Sequence, residues 1–315
     1  MERTELNIFT AFNDEYVMPT KVMIKSLIKN NLDYLNIYVV HSSLRQESIE
    51  SIKELEDERV CFHFQKIDDS FLNGVTIPDQ FSKEAYYRLF AHRIFKNEIE
   101  RILWLDGDMI INGPLHDFYY QDFDGKLFIA VEDSGLIGDV EIHTKLGMPL
   151  DSVYINSGVL LMNLKGMREK LNDDKILQYI TENQDDLSYV DQDVFNGLLH
   201  EHFLIVDPDH MYNYSHWNIT KANKEYIYRN ARVIHYYSPH KPWKKNYPAI
   251  GFDLWWKYAL LTDPKNKKLY REVYISHAVI KMKKSLKRSM PGVYSRMKHM
   301  KQSIKQHAGK DESRV

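Results

Sequence analysis

Two aspartates have the residue type and the position to bind a metal ion. Asp106 and Asp108 are separated only by Gly107 and follow the apolar run 102–105. Two carboxylates held close together repel each other unless a cation lies between them, and hard oxygen ligands suit Mg²⁺ or Mn²⁺ carrying a phosphate. We predict that the glycine lets the backbone bend so that both carboxylates face one point. The alternative interpretation is that Asp and Gly simply mark the end of a strand.

Three further side chains could complete such a site. His235 follows the strand-like pair Val233-Ile234, and one imidazole added to two carboxylates favours Mn²⁺ over Mg²⁺. Lys241 could reach a phosphate as a point charge, and Arg88 could orient a metal-binding aspartate or a phosphate. Each residue also has an ordinary structural alternative: a hydrogen-bonded core histidine, a solvated lysine and a surface ion pair.

Alternating strands and helices must position these groups. Apolar runs predict strands at 6–12, 35–40, 60–64, 101–105, 127–131, 157–162, 203–206 and 233–235, with helices near 18–28, 46–55, 85–95, 174–182 and 191–199. This alternation predicts a doubly wound α/β sheet, in which ligands bind beyond the carboxyl ends of the strands. Segments 134–153 and 208–222 show no clear periodicity, and we expect lid or binding loops there.

The composition excludes several classes of protein. The 315 residues are 43% hydrophobic and 27% charged, which excludes intrinsic disorder and a disulfide-framed mini-protein. Cys61 is the only cysteine, so an intrachain disulfide is impossible and a reducing, cytoplasmic compartment is expected. The N-terminal residues carry acids and do not resemble a secretory signal. No apolar run reaches the ~18 residues that a membrane-spanning helix needs.

The net charge of −2 conceals a basic tail on an acidic body. Residues 265–305 hold 13 lysines or arginines and one acid, and the charges of residues 306–315 balance. Because the whole chain has a net charge of −2, residues 1–264 carry a net charge of −14. We therefore predict one domain over 1–264 and a basic extension over 265–315. A bulk nucleic-acid binder would carry its positive face on the folded domain, so nucleic acid is excluded as a partner.

The basic extension has the periodicity of amphipathic helices. Between 279 and 304 the apolar residues recur every three or four positions, and lysines and arginines lie mostly off that face. Pro291-Gly292 divides the pattern into two pieces. We expect 279–305 to bind an anionic membrane surface, which would place the protein at the inner face of the cell membrane. Packing on the body or on a partner chain is the alternative.

The order of the motifs resembles glycosyltransferase family 8. Six segments match in the family's order: Thr10-Ala11-Phe12-Asn13 with Tyr16, Tyr86-Tyr87-Arg88-Leu89, Trp104-Leu105-Asp106-Gly107-Asp108, the block from Tyr154 to Leu164, Asp191-Gln192-Asp193 with Asn196, and the block from His235 to Trp243. The resemblance implies a single GT-A type fold, a Rossmann-like mixed sheet with helices on both faces, followed here by the C-terminal helices. It also implies hexose transfer from UDP-galactose or UDP-glucose to a saccharide or glycolipid acceptor.

The resemblance assigns a role to each matching residue. Asp106, Asp108 and His235 would ligate Mn²⁺, with Mg²⁺ as the alternative, and Lys241 would hold the β-phosphate. The donor would also be bound by the following residues: Thr10, Ala11, Asn13, Tyr16, Arg88, Gly107, Asn156, Ser157, Asp191, Gln192 and Ser238. Asn156, Asp191 and Gln192 would lie nearest the chemistry, and Asp133 would contact the acceptor. Without the resemblance, capping and turn roles would explain Asn156, Asp191 and Gln192 equally well.

Two positions depart from the family pattern. Asn13 stands where an aspartate is common, which alters one hydrogen bond to the base. Ser238 replaces the usual glycine, so the close approach of the backbone to the phosphate there depends on the conformation that Ser238 adopts.

Family 8 enzymes are retaining, and Gln192 occupies the position of their debated nucleophile. An amide has no ionisable form near neutral pH, so we favour front-face substitution, in which Gln192 stabilises positive charge. A metal-dependent nucleotidyltransferase is a competing class, but residues 10–15 contain no glycine for a phosphate loop. A self-glucosylating, glycogenin-like role is a second alternative in a chain with 21 tyrosines, and a non-catalytic sugar binder is disfavoured because every expected metal ligand is present.

Overall fold

The structure is a computed structural model that describes residues 4–78, 81–245, 247, 250–290 and 292. Its strands are β1 (Glu5–Ala11), β2 (Tyr34–His41), β3 (Val60–Lys66), β4 (Arg101–Leu105), β5 (Met109–Ile111), β6 (Phe128–Glu132), β7 (Ile155–Asn163), β8 (Phe203–Ile205), β9 (Tyr214–Ser215) and β10 (Val233–His235). Its α-helices are α1 (Val17–Asn30), α2 (Gln46–Lys53), α3 (Ala91–Ile94), α4 (His116–Tyr119), α5 (Val140–Leu146), α6 (Leu164–Lys170), α7 (Asp173–Glu182), α8 (Asp191–Leu199), α9 (Lys224–Asn230), α10 (Phe252–Thr262) and α11 (Asn266–Ser289).

Seven of these strands form one mixed sheet in the order β3-β2-β1-β4-β7-β6-β8. β7 runs antiparallel to both β4 and β6, and the other pairs in the sheet are parallel. A second sheet has the order β5-β10-β9, with β10 antiparallel to β5. The predicted mixed α/β architecture is confirmed. The carboxyl ends of β1, β4 and β6 therefore lie along one edge of the large sheet, where a ligand is expected.

Both faces of the large sheet are buried under apolar side chains. Successive residues of a strand point to opposite faces, so Ile102 and Trp104 join one apolar cluster while Leu103 and Leu105 join the other. Each of these four side chains is at most 1% exposed. A strand covered on both faces reads as a continuous apolar run, which is why β4 could be predicted with its exact bounds.

The differences from the predicted elements concern short or unusually buried segments. Residues Lys83–Phe90 form a 3₁₀-helix rather than an α-helix, and consecutive residues from Tyr86 to Phe90 are all buried. The segment is packed on every side and has no single amphipathic face. This packing, and not a helical periodicity, favours the tighter 3₁₀ conformation. The predicted loop 134–153 contains α5, and the predicted loop 208–222 contains β9. β5, β9 and α4 have two to four residues each, too few for a periodic pattern.

The chain divides into two compact units. One comprises the described residues of Met1–Pro239 and Ala249–Thr262, and the other comprises those of His240–Pro248 and Asp263–Val315. The predicted basic helix is α11, in the second unit, and the second predicted helical piece at 293–305 lies outside the described residues. None of the helices in the described ranges combines the length and the apolar character needed to cross a bilayer.

Candidate active site

The two aspartates and the histidine come together at the carboxyl end of β4. Asp106 follows β4, Asp108 precedes β5, and the pairing of β10 with β5 sets His235 opposite Met109. His235 Nε2 lies 3.2 Å from Asp108 Oδ1 and 3.6 Å from Asp106 Oδ2. Within the described ranges this is the one group of at least three His, Cys, Asp or Glu residues whose potential ligand atoms lie within 4.8 Å of one another. Its mixed nitrogen and oxygen donors fit a hard divalent cation.

Asn213 fixes the orientation of the His235 ring. His235 Nδ1 lies 3.1 Å from Asn213 Oδ1, which is an acceptor because the same amide donates through Nδ2, and this contact turns Nε2 toward the aspartates. Asn213 Nδ2 in turn donates to Asn156 Oδ1 at 2.8 Å. Such outer partners of a ligating histidine hold its tautomer and its position. Sequence reasoning missed Asn213, which lies in a segment without periodicity and belongs to no recognisable motif.

Arg88 is a buried cation shared by two carboxylates. Its Nη2 lies 3.0 Å from Asp106 Oδ1, and its Nε lies 3.1 Å from Asp191 Oδ2. Nη1 donates to the Ser157 backbone oxygen at 2.7 Å, and the guanidinium carbon lies 4.0 Å from the centre of the Trp104 ring. Arg88 is 5% exposed, so the predicted alternative of a surface ion pair is wrong.

Asp106 is held from one side only. Trp104 Nε1 donates to Asp106 Oδ1 at 2.8 Å, and the same oxygen faces Arg88. Trp104 and Asp106 are two residues apart and therefore share a face of the strand. The second carboxylate oxygen, Oδ2, points toward His235. The site thus presents one oxygen of Asp106 to a ligand and uses the other to fix the side chain.

Asp191 is buried in a position where its charge is poorly solvated. Burial raises the pKa of the Asp191 carboxyl to about 7, and the nearby charge of Asp106 adds to this, whereas the Arg88 guanidinium lowers that pKa. The Arg88 Nε–H donates to the Ala85 backbone oxygen at 3.0 Å, so Asp191 Oδ2 has no aligned hydrogen bond within the described residues. A carboxyl that titrates near neutral pH beside a candidate metal site is typical of a functional position.

Gly107 is required for space and not for backbone freedom. Its φ is not positive, so the turn between the two aspartates does not need the left-handed conformation that favours glycine. A Cβ at position 107 would lie 2.2 Å from Thr20 Oγ1. Thr20 is fully buried on α1, so the chain between the two aspartates runs directly against that helix.

Gly158 provides space for the metal-ligating side chains. It lies on β7, and a Cβ there would approach His235 Cε1 to 2.4 Å, Met109 Cε to 2.7 Å and Asp106 Oδ2 to 2.9 Å. The antiparallel pairing of β7 with β4 brings Gly158 beside Asp106, whose backbone N–H donates to the Gly158 oxygen. Any side chain at 158 would therefore occupy the space in which His235 and Asp106 meet.

A second polar group lies next to the first and joins Asp133, Asn156 and Gln192. Asp133 Oδ2 accepts from Asn156 Nδ2 at 2.8 Å and from Gln192 Nε2 at 3.2 Å. Gln192 Oε1 accepts from the Ser157 backbone N–H at 3.1 Å. All three of these side chains are buried. The structure therefore brings the predicted acceptor residue into direct contact with two of the three predicted catalytic residues.

The first turn of α8 is held by Asp193. Its carboxylate accepts from the Tyr154 hydroxyl and, at 2.7 Å, from the Tyr189 backbone N–H. Val190, between Tyr189 and α8, has a φ of 46°, which is rare for a β-branched residue. Backbone outliers of this kind persist where the surroundings impose them and cluster at functional sites. Asp193 and Val190 therefore support the orientation of Gln192.

The predicted nucleotide-facing residues lie at the end of β1. Thr10 is fully buried and Ala11 ends the strand, while Asn13 Oδ1 caps the following 3₁₀ turn that ends at Tyr16. A cavity of about 520 Å³ lies at the neighbouring carboxyl ends of β2 and β3. It is lined by Ser42, Lys66, Ile67, Asp68 and Asp69, none of which the motifs singled out. Because β2 is the neighbour of β1, this cavity adjoins the predicted nucleotide side of the sheet.

Ser238 and Lys241 follow β10 along the chain. Ser238 has a φ of 92°, so it adopts a conformation that favours glycine, although it carries a side chain. Lys241 belongs to the second unit, and its Nζ lies 6.0 Å from the centre of the Trp243 ring. The phosphate contacts of both residues stay predictions.

Gly158→Ala should weaken Mn²⁺ binding, whereas an alanine that crowds the protein away from the candidate ligands should not. We expect the dissociation constant for Mn²⁺ to rise at least about tenfold, because the new methyl group displaces His235 and Asp106. Overpacking should also lower the free energy of unfolding by about 1–3 kcal/mol. Gly166→Ala is the matched control, since a Cβ there would meet Leu127 Cδ2 at 2.9 Å, away from the ligands. Calorimetric Mn²⁺ titration of both variants tests this, and equal affinities would contradict it.

Ser238→Gly should relieve backbone strain. An L-residue with positive φ costs about 1–2 kcal/mol, partly offset by the greater chain entropy of glycine. We expect the free energy of unfolding to stay unchanged or rise by up to about 1 kcal/mol in Ser238→Gly and to fall in Ser238→Val. Both variants remove the hydroxyl group, so the difference between them reports the backbone. Denaturant unfolding measures it, and a less stable glycine variant would refute the prediction.

Comparison with known proteins identifies the family. Residues 7–247 match glycosyl transferase family 8. The lipopolysaccharide 1,2-glucosyltransferase of Escherichia coli K12 is 25% identical over 296 residues, which cover 87% of each chain. Glycosyltransferase GlyB of Streptococcus pneumoniae serotype 4 is 28% identical over 275 residues, covering 82% of this chain and 62% of that protein.

The fold is shared with solved glycosyltransferase structures. The crystal structure of galactosyltransferase LgtC in complex with donor and acceptor sugar analogues superposes with a TM-score of 0.70 at 21% identity, covering 81% of this chain and 95% of LgtC. Glycosyltransferase GlyE of S. pneumoniae superposes with a TM-score of 0.62 at 20% identity, covering 81% of this chain and 61% of GlyE. The predicted GT-A type fold is thereby confirmed. The chain belongs to glycosyl transferase family 8 and is a glycosyltransferase.

Proposed function

We propose that this glycosyltransferase moves galactose or glucose, with retention, from a UDP-sugar to a saccharide or glycolipid acceptor of the cell envelope. The observation that carries the proposal is the convergence of Asp106, Asp108 and His235 beside the Asp133–Asn156–Gln192 group. A cation site for a diphosphate thus adjoins a hydrogen-bonding site for a sugar. The name of the E. coli relative, a lipopolysaccharide 1,2-glucosyltransferase, supports the acceptor class.

Asp106, Asp108 and His235 would hold a divalent cation, Mn²⁺ in preference to Mg²⁺ because one ligand is a nitrogen. When bound, the ion would supply Lewis-acid stabilisation of the charge that develops on the departing diphosphate. Asn213 holds the His235 ring with Nε2 toward the two aspartates, and Trp104 binds one Asp106 oxygen so that the other faces His235. We expect Lys241 to add a second positive charge at the β-phosphate.

The buried groups around Gln192 suit a front-face substitution. The bond from the anomeric carbon to the diphosphate oxygen breaks, the acceptor hydroxyl oxygen bonds to that carbon from the same side, and the departing phosphate oxygen takes the proton. Gln192 Oε1 uses one lone pair on the Ser157 N–H. Its remaining lone pair can face the positive anomeric carbon of the oxocarbenium-like transition state. Asp133, which orients the Gln192 amide, can accept a hydroxyl proton of the acceptor in a hydrogen bond.

The donor nucleoside would lie along the ends of β1 and β2. Thr10 and Ala11 are the last residues of β1, and Asn13 caps the turn that follows. The 520 Å³ cavity at β2 and β3 offers the Ser42 hydroxyl and the Lys66 ammonium. A uridine in this position would direct its diphosphate toward the ligands after β4, since β4 is the other neighbour of β1. The strand order therefore supports a donor that crosses the edge of the sheet from nucleoside to sugar.

We further propose that α11 attaches the protein to an anionic membrane surface. Ile275, Val279, Met282 and Met290 are 62%, 37%, 60% and 55% exposed, so the apolar side of this helix faces solvent. The same helix carries Lys281, Lys283, Lys287 and Arg288. A basic helix with an exposed apolar face is typical of proteins that bind at the headgroup region of a membrane. Such attachment would bring the protein to the surface that carries glycolipids.

Asp108→Asn tests the proposed reaction. Release of UDP from UDP-galactose and UDP-glucose in the presence of Mn²⁺ should fall by at least about a hundredfold, because one charged ligand is lost. The exposed Asp185→Asn is the control and should keep full activity. Near-normal turnover in Asp108→Asn would refute the assigned site. Turnover of neither UDP-sugar by the unaltered chain would refute the proposed donor.

Charge reversal in α11 tests membrane attachment. We expect Lys281→Glu, Lys283→Glu and Lys287→Glu, combined in one chain, to abolish co-sedimentation with vesicles containing phosphatidylglycerol, since each basic residue near such a surface contributes about 1 kcal/mol. Exchange of three lysines of the body, Lys53, Lys175 and Lys221, for glutamate gives the same net charge and should leave co-sedimentation unchanged. Equal binding by both triple variants would contradict attachment through α11.

A further inference from the structure

A cavity of about 360 Å³ lies apart from the candidate active site. It is bounded by α4 and the turn after it, by the 3₁₀-helix Pro208–His210, and by the end of α9. The lining includes Asp117, Asp209, Tyr212, Tyr226 and Arg232. Its volume is at the lower end of the range for small-molecule sites, about 300–1,000 Å³, which suits one or two small rings.

The cavity and the active site lie at different ends of the same elements. His235 ends β10, whereas Arg232 precedes its first residue. The α4 wall is fastened to the amino edge of the large sheet: the Tyr120 hydroxyl donates to the Glu5 oxygen at the start of β1, and Arg101 at the start of β4 donates to the Gln121 oxygen at 2.9 Å. The metal-ligating aspartates follow the opposite, carboxyl end of β4. A ligand in this cavity would therefore not touch the reacting groups.

Three charged groups of the cavity form no polar side-chain contact with the rest of the fold in the described ranges. Across the described residues, neither the Arg232 guanidinium nor the carboxylates of Asp117 and Asp209 take part in a side-chain hydrogen bond or ion pair. Tyr226 is 60% exposed, so its ring is accessible at the rim of the cavity. Donors, acceptors and an aromatic face are thus all directed to one space and left for a ligand.

The walls of the cavity are held in place by close packing and by the backbone around them. Gly113 lets the Arg232 side chain lie along the backbone, since a Cβ there would come within 2.8 Å of Arg232 Cδ. Met211 has a φ of 50°, a left-handed conformation that is uncommon outside glycine. It precedes Tyr212, which is 5% exposed and packs on Phe118 with ring centres 4.7 Å apart. The cavity is therefore preformed.

The chemistry of the lining excludes several classes of ligand. Two carboxylates outnumber one guanidinium, which disfavours phosphates and other anions. The acids and His210 do not form a group with metal-ligand spacing among the described residues. The charged lining disfavours a lipid. A neutral molecule rich in hydroxyl groups fits, because each hydroxyl can donate to a carboxylate and accept from a guanidinium while its C–H face packs on a tyrosine.

We propose that this cavity is a second, non-catalytic saccharide-binding site. It would bind a neutral sugar unit of a glycan chain and keep that chain on the enzyme while another part of it is at the active site. Binding at two points of one chain raises the local concentration of the acceptor end. The proposal concerns free saccharides and holds whichever nucleotide-sugar is the donor.

Titration of the full chain with disaccharides tests the proposal. Lactose, maltose and N,N′-diacetylchitobiose are added separately at millimolar concentration, and binding is followed by ligand-observed saturation-transfer NMR. At least one should bind, and Arg232→Ala and Tyr226→Ala should each raise its dissociation constant about tenfold, the effect of one lost charge-assisted hydrogen bond or ring contact. Both side chains are exposed, so neither variant should disturb folding.

Two controls locate the binding. Arg229→Ala removes an exposed arginine from α9, the helix that also carries Tyr226, at a position that does not line the cavity. It should leave the dissociation constant unchanged. Asp108→Asn should also leave it unchanged, because that residue belongs to the active site. The proposal is overturned if none of the three disaccharides binds, if Arg232→Ala and Tyr226→Ala bind normally, or if Asp108→Asn abolishes binding. Failure of the proposed donor reaction would instead appear as absent UDP release by the unaltered chain.

Discussion

The site depends on how one buried guanidinium compensates two carboxylates. Arg88 contacts Asp106 and Asp191, both beside the β4 end, and stacks on Trp104. Breaking a buried ion pair by removing one partner costs about 3–5 kcal/mol, so the position of Arg88 is strongly constrained. The pKa of Asp191 is raised to about 7 although Arg88 lies beside it, because the carboxyl is buried. The carboxylates of Asp106 and Asp108 and the imidazole of His235 therefore meet beside a second buried acid, and oxygen and nitrogen donors of this kind suit a divalent ion.

Hydrogen bonds join the candidate metal-binding group to the group of Asp133, Asn156 and Gln192. His235 donates to Asn213, Asn213 to Asn156, and Asn156 to Asp133, which also accepts from Gln192. Each side chain in this series uses its donors and acceptors on the next, so a displacement at one end leaves a buried polar group unpaired at the other. We infer that diphosphate binding and sugar orientation are coupled mechanically. Gly107 and Gly158 support this arrangement by letting backbone and ligands approach closely.

The groups proposed for the reaction and those proposed for recognition belong to different parts of the chain. The reacting groups are buried at the carboxyl edge of the sheet, where water can be excluded. The groups we assign to a glycan chain and to a membrane lie elsewhere, in the cavity beside α4 and on α11. These outer groups are exposed and little used by the fold, so they can differ between related enzymes without disturbing the buried site. We expect these outer groups and the loops to determine which acceptor is used. We expect the buried site to determine the type of reaction.

The sequence by itself determined the longer strands, the order of the motifs and the three candidate metal-binding residues. β4 is apolar on both faces and ends at Asp106, so its pattern is local and readable. Only the tertiary structure decided the rest. Arg88 was expected on the surface or near a ligand, and its two carboxylate partners come from 18 and 103 residues further along the chain. Three features depend on which parts of the backbone approach one another: the contact of Asn213 with His235, the lack of space for a side chain at Gly107, and the positive φ of Ser238. The spacing of residues along the chain does not encode such distances.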